Sequence, residues 1–149
     1  MKKSIYILFV LQLITIISYA QCNGSIDLCS KQYNEVAYLT THNAFNSDED
    51  GLLFPNQTHN IASQLNDGVR GLMIDVYDHF GTPTAYHSVF MLGTIPLSDI
   101  FNDIKTFLDN NPNEVATIIL ECYVTANEIE DEINQSGLSS YLYTHNNSI

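Results

Sequence analysis

The sequence predicts an α/β fold, and three observations predict it. Short β-branched runs alternate with segments of helical spacing. The clearest run, residues 115–120 (Val-Ala-Thr-Ile-Ile-Leu), lacks the polar alternation of a half-exposed strand, as strands of a parallel sheet covered on both faces do. No repeat, linker or low-complexity tract interrupts the pattern. Taken in order, residues 36–40 read as a first strand, 71–76 as a second, 84–89 as a weaker third and 115–120 as a fourth. Between them, Ile61 and Leu65 lie four apart and Gly68 stands as a helix stop. Leu97, Ile100, Phe101, Ile104 and Leu108 make one helical stripe that Asn110-Asn111-Pro112 ends. Thr125 and Glu128 form a capping box, Ile129 and Ile133 follow on one face, and Gly137 closes that helix. The link from Val76 to Thr84 is too short for a crossover helix, so either it is irregular or those two strands run antiparallel.

Composition narrows the function. The chain has 149 residues, 17 of them acidic and 5 basic, for a formal charge of −12. Nucleic acid is thereby excluded, since binding it requires a basic surface, and so is strong electrostatic docking on an anionic membrane. Apolar residues make up 45% of the chain, enough for one packed domain.

Residues 1–20 read as a signal peptide: Lys2 and Lys3 precede an apolar stretch over residues 5–18, and Ser18-Tyr19-Ala20 offers small residues for cleavage. The stretch falls short of the ~20 apolar residues a bilayer span needs. Residues 21–149 are then the domain, secreted, with Lys31, Arg70 and Lys105 its only basic side chains. In an oxidising compartment Cys22 and Cys29, flanking Asn23-Gly24-Ser25, are expected to pair and pin the new N-terminus. Closing so short a loop stabilises by only about 2–3 kcal/mol. Cys122, just past the apolar fourth strand, reads as a small buried hydrophobe. Sequons at Asn23, Asn56, Asn134 and Asn146 would matter in a eukaryotic secretory pathway.

The chemistry collects at strand ends. The first strand runs into His42-Asn43, the second ends near Asp75, the third carries His87 and the fourth finishes on Glu121. In parallel α/β architectures the loops at that end converge on one crevice. Two imidazoles suit proton transfer, and the oxygens of Asn43, Asp75 and Glu121 suit a hard cation. Each residue alone has a plainer account: His42 as a hydrogen-bonded structural histidine, Asp75 and Glu121 as acids capping the next turn. An unpaired Glu121 after a fully apolar strand would be costly to bury. His59, His79 and His145 sit in polar or loop contexts and are expected to be solvated.

Four motifs carry a resemblance. Tyr38-Leu39-Thr40-Thr41-His42-Asn43-Ala44-Phe45 resembles the opening strand of the phosphatidylinositol-specific phospholipase C X-domain superfamily. Gly68-Val69-Arg70-Gly71-Leu72-Met73-Ile74-Asp75 resembles its second strand. Tyr86-His87-Ser88 and Ile118-Ile119-Leu120-Glu121 resemble its third and fourth motifs, in matching order and spacing. The resemblance implies a partial (β/α) TIM-type barrel of about four strands with an irregular link after the second. It implies His42 and His87 as the catalytic histidines, and Asn43, Asp75 and Glu121 as ligands of a divalent cation, Ca²⁺ or Mg²⁺. An arginine replaces Asp75 in the metal-independent branch, so Asp75 favours a metal. Met73 departs from the pattern, which has a glutamate ligand there; a thioether does not replace carboxylate oxygen for a hard cation.

A complete barrel takes about 250 residues. The expectation is therefore the N-terminal half of a barrel, open at its fourth strand and apparently truncated, or a half-barrel that forms a homodimer. The implied function is hydrolysis of a phosphodiester or phospholipid substrate in the manner of a phospholipase C. Glycerophosphodiester hydrolysis is disfavoured, because that family opens on His-Arg-Gly where His42-Asn43-Ala44 stands. The alternative from another class is a catalytically inactive secreted binding protein, or a fragment of the enzyme, using the same crevice.

Overall fold

The computed structural model describes residues 22–144. The expected signal peptide, Asn146 and His145 lie outside the described residues. An α/β architecture is observed: a five-stranded open sheet with helices packed on one face. In chain order the elements are β1 (Thr40–Thr41), α1 (Ile61–Asn66), β2 (Gly71–His79), β3 (Thr82–Ala85), β4 (Ile95–Pro96), α2 (Leu97–Asn110), β5 (Thr117–Cys122) and α3 (Ala126–Ser136). Among the described residues no helix is long and apolar enough to cross a membrane.

The nine-residue strand β2 organises the sheet. Along one edge it pairs with β5 in parallel, from Gly71↔Thr117 to Val76↔Cys122. Its other edge is shared: β1 takes the first two residues in parallel, and β3 takes Val76 to His79 in antiparallel. The short link after β2 is thus a hairpin, which settles the choice the sequence left open. Alternation along β2 separates the two faces. Leu72, Ile74 and Val76 are fully buried, whereas Met73, Asp75 and Tyr77 lie on the opposite face and are partly exposed.

The core forms because the helical stripes match the buried face. On α2, Leu97, Ile100, Phe101, Ile104, Phe107 and Leu108 are all buried, and they join Leu72, Ile74 and Val76 in one apolar cluster. Local signals set the helix ends, and the capping box of α3 is the one the sequence predicts. Asn60 Oδ1 accepts the Ser63 N–H at the start of α1. At α3, Glu128 Oε2 accepts the Thr125 N–H at 2.8 Å and the Thr125 hydroxyl accepts the Glu128 N–H. Gly71 is required by close approach: a Cβ there would meet the Thr40 side chain at 2.2 Å, so β1 can lie against β2 only with glycine at that position.

A buried ion pair ties the lower end together. Arg70 Nε donates to Glu114 Oε2 at 2.8 Å, with the two side chains only 6% and 5% exposed. Arg70 Nη1 also donates to the carbonyls of Leu65 and Val69, and its guanidinium lies 4.7 Å from the Phe107 ring centre. The same Glu114 oxygen accepts the Asn23 N–H at 2.8 Å, and Cys22 and Cys29 are joined in a disulfide on either side of that turn. The N-terminal segment is therefore fixed both covalently and to the core.

Several expectations are corrected. Residues 36–39 lie outside the sheet. The backbone N–H groups of Arg70 and Gly71 both donate to the Leu39 carbonyl, and the parallel ladder begins only at Thr40↔Gly71. The third strand ends at Ala85, so His87 lies beyond it, in a bend where Ser88 has φ 60°. β4 is a strand the sequence reading lacked. β5 is covered on one face only: Ile118 and Leu120 pack on the core, while Ile119 stays 44% exposed. The unbroken apolar run therefore did not mean double coverage. Cys122 is exposed rather than buried, as the last residue of β5, where the strand leaves the sheet. Burial of its surroundings still pushes its thiol pKa up.

Candidate functional site

The site is built where β1, β2 and the segment after β3 meet. Beyond Thr41 the chain turns sharply, and the Ala44 N–H donates to the Met73 carbonyl at 2.9 Å, tacking the turn onto β2. The turn requires a left-handed residue. Asn43 supplies it at φ 48°, a conformation asparagine tolerates better than most side chains. As a result the Asn43 side chain is buried while its neighbour His42 points to solvent. The His42 carbonyl is held by Gln57 Nε2 at 2.7 Å, which fixes the backbone under the exposed ring.

A chain of amides then sets the orientation of His87. The Phe54 carbonyl can only accept, so the Asn46 group 3.3 Å from it is Nδ2. Asn46 Nδ2 also donates to Asn56 at 2.8 Å, which identifies the Asn56 atom as Oδ1. Asn43 Nδ2 donates its first hydrogen to that same Oδ1 at 3.0 Å. Its second hydrogen faces His87 Nδ1 at 3.2 Å. Nδ1 of the neutral ring is therefore an acceptor, and the ring proton sits on Nε2. Asp75 Oδ2 stands 3.4 Å from the same Nδ1, at the long limit of a hydrogen bond. Once the ring is protonated, Nδ1 becomes a donor and Asp75 is the acceptor in place.

The antiparallel hairpin makes this meeting occur. Because Ala85 pairs with Val76, residues beyond Ala85 run back along β2 toward Asp75. The Val89 N–H donates to the His87 carbonyl at 2.7 Å in a tight bend, and the His87 side chain stays half exposed. Asp75 is more enclosed, at 13%.

Glu121 joins from β5 as the register partner of Asp75, on the same face of the sheet. It is exposed, so the burial cost inferred from its apolar strand does not arise. Its Oε1 accepts the Tyr123 hydroxyl at 2.5 Å. That bond, with the carboxylate's charge, pushes the Tyr123 phenol up to about 12. Tyr123 stacks on Tyr77 with ring centres 4.5 Å apart, and Tyr77 stacks on Tyr86 at 4.4 Å. Burial first, then the charges of Asp75 and Glu121, raises the pKa of Tyr77 as well.

The structure thus brings Asn43, Asp75 and His87 into contact and sets Glu121 beside Asp75. His42 is placed on the same turn as Asn43, with its ring exposed. His79, expected to be solvated, packs between Phe80 and Phe90; His59 faces Glu49 at 3.6 Å. Among the described residues no three His, Cys, Asp or Glu side chains cluster as metal ligands. The oxygen donors nevertheless suit a hard cation: Asn43 Oδ1 is buried without a hydrogen-bond partner, and two carboxylates share one face. Sequence reasoning missed Asn46 and Asn56, whose role depends on contacts across a loop that no local pattern announces. Tyr77 and Tyr123 were findable, since each lies two residues beyond a named acid and on its face.

Residues 28–149 match the family described as PI-PLC X 1. The chain belongs to the PI-PLC X family. It is 38% identical over 104 residues to a PI-PLC X domain-containing protein of Arabidopsis thaliana, covering 62% of this chain and 24% of that protein. An uncharacterized secreted protein of Arthroderma benhamiae is 27% identical over 129 residues, 85% of this chain and 29% of that one. A PI-PLC X domain-containing protein 1 of the same fungus is 28% identical over 127 residues, 82% of this chain and 41% of that one. The PI-PLC X chain described here thus spans less than half the length of each of these relatives. No solved structure matches it.

Proposed function

We propose that the chain is a secreted phosphoric diester hydrolase of the phospholipase C type. The observation that carries this reading is the His87 ring, whose Nδ1 lies between the Asn43 amide and the Asp75 carboxylate beside the His42 turn. In the proposed first step His42 takes the proton of a substrate hydroxyl adjacent to the diester. That oxygen attacks phosphorus, the bond to the leaving alcohol breaks, and protonated His87 delivers its proton to that alcohol, leaving a cyclic phosphate. Asp75 accepts from Nδ1–H and so stabilises the imidazolium before transfer. The proton delivered is the one on Nε2, so Nδ1–H stays on Asp75 through the transfer, whereas Asn43 donates to Nδ1 and orients the neutral ring before it is charged. Asn43 Oδ1, Asp75 and Glu121 are the residues that would hold Ca²⁺ or Mg²⁺, which would neutralise charge on the phosphoryl oxygens. Secretion is supported by the N-terminal pattern and by the secreted relative of Arthroderma benhamiae.

His42→Ala and His87→Ala should each lower turnover of a soluble inositol phosphodiester by about 10²–10⁴-fold. Equal turnover in either variant would end the mechanism. A second reading, a binding protein using the same crevice, is favoured by Met73, which puts a thioether on the face shared by Asp75 and Glu121. Ligand binding without turnover in the unaltered chain, measured by calorimetry beside the rate assay, would select it.

A further inference from the structure

We infer that Asn56, beside the candidate site, is the acceptor of an N-linked glycan. It heads the sequon Asn56-Gln57-Thr58, and the structure sorts the described sequons by where each amide nitrogen points. Asn56 Oδ1 is turned inward, where it accepts from Asn43 Nδ2 at 3.0 Å and from Asn46 Nδ2 at 2.8 Å. Asn43 and Asn46 are buried, yet Asn56 itself is exposed. Both side-chain hydrogen bonds of Asn56 run through that oxygen. Oδ1 and Nδ2 leave one planar carbon in different directions, so anchoring the oxygen to the interior turns the nitrogen to solvent. The chain around it is open. Leu53, Phe54, Pro55, Thr58 and His59 are all exposed, on the loop between β1 and α1. The backbone beneath is nevertheless fixed, because the Asn56 and Gln57 N–H groups both donate to the Asn46 carbonyl, at 2.9 and 3.0 Å.

The transfer uses the atom that the fold leaves outside. Asn56 Nδ2 attacks the anomeric carbon of a sugar carried on a lipid diphosphate, and the bond from that carbon to the diphosphate oxygen breaks. The diphosphate departs with the bonding pair, and one Nδ2 proton passes to a base of the transferase. The product keeps Oδ1, so the acceptor for Asn43 and Asn46 survives and the chain of amides to His87 is undisturbed. Asn23 is arranged the other way. Its Nδ2 donates to the Ala37 carbonyl at 3.2 Å and its N–H to Glu114, inside the turn that the disulfide closes. A sugar on that nitrogen would compete with the Ala37 contact, so Asn23 is expected to stay bare. Asn134, exposed near the end of α3, is an internal comparator. The inference rests on the reading of the chain as secreted and is independent of the hydrolase reading. The relatives named above belong to a plant and a fungus, both eukaryotes, and one of them is described as secreted.

Expression of the full chain, residues 1–149, in cultured insect cells tests this. Enzymatic release of glycans in heavy-oxygen water labels every asparagine that carried one, and mass spectrometry of the peptides reads the label. Label is expected at Asn56 and not at Asn23. Thr58→Ala, which leaves Asn56 in place, should abolish the Asn56 label and lighten the chain by one glycan. Nitrogen NMR should give the same His87 tautomer in the glycosylated parent and in Thr58→Ala, since the sugar hangs from the atom that the amide chain does not use. Label at Asn134 with none at Asn56 would overturn the inference, and so would a secreted chain with no label at all. Label at Asn23 would overturn the sorting by amide direction. A His87 tautomer that differs between the two chains would overturn the outward placing of the sugar. A chain kept inside the cell without label would sink the secretion reading and this inference with it, whereas a secreted chain bare at Asn56 would sink this one alone.

Discussion

Asn43 Nδ2 and Asp75 Oδ2 both address His87 Nδ1, at 3.2 and 3.4 Å, one as a donor and the other as an acceptor. A single nitrogen cannot satisfy both at once, so the two partners serve two protonation states of the ring. Asn56 stands behind this arrangement, because its Oδ1 takes one hydrogen from Asn43 and one from Asn46.

Asn56→Leu should therefore act on the ring without touching it. Two buried amides lose their acceptor, at a cost of about 1–3 kcal/mol in urea unfolding. Nitrogen NMR of the neutral His87 ring should show the Nε2–H tautomer in the parent and a mixture in the variant. An unchanged tautomer would mean that the amide chain does not orient the ring.

Tyr123 gives a prediction in the alkaline range. Its phenol is raised from 10.0 to about 12, first by the bond to Glu121 and then by that carboxylate's charge. A raised pKa means the folded chain holds the proton more tightly than the unfolded one. The stabilisation is thus complete below pH 10 and is lost as pH climbs toward 12. Tyr123→Phe should be less stable than the parent at neutral pH, and the two should converge across that window. Absorbance titration should also lose its late-ionising phenol in the variant. A constant stability difference up to the top of the window would contradict the Tyr123–Glu121 bond.

Glu114→Ala should be the most damaging single change at the lower end. It leaves Arg70 Nε and the Asn23 N–H without their shared acceptor inside the protein. Removing one partner of a buried pair costs about 3–5 kcal/mol, while replacing both with apolar groups is often neutral. Glu114→Leu with Arg70→Met should accordingly recover much of the loss in urea unfolding. In Glu114→Ala the Asn23 amide should also exchange its hydrogen faster, since the disulfide turn keeps its covalent tie but loses its anchor.

The α/β class, the helices and the letters of the candidate site could be read from the sequence by itself. The α2 stripe, the Thr125–Glu128 capping box and the Gly137 stop are all set by bonds and contacts within four residues, so a local reading finds them. His42, Asn43, Asp75, His87 and Glu121 were legible because each follows or interrupts an apolar run. The tertiary structure alone decided how they meet. His87 reaches Asp75 because β3 returns antiparallel, and it is oriented by Asn46 and Asn56 across a loop. The exposure of Ile119, Glu121 and Cys122 was equally beyond the sequence: an apolar strand shows its hydrophobicity in its letters, but which of its faces gets covered depends on elements that pack there from elsewhere in the chain.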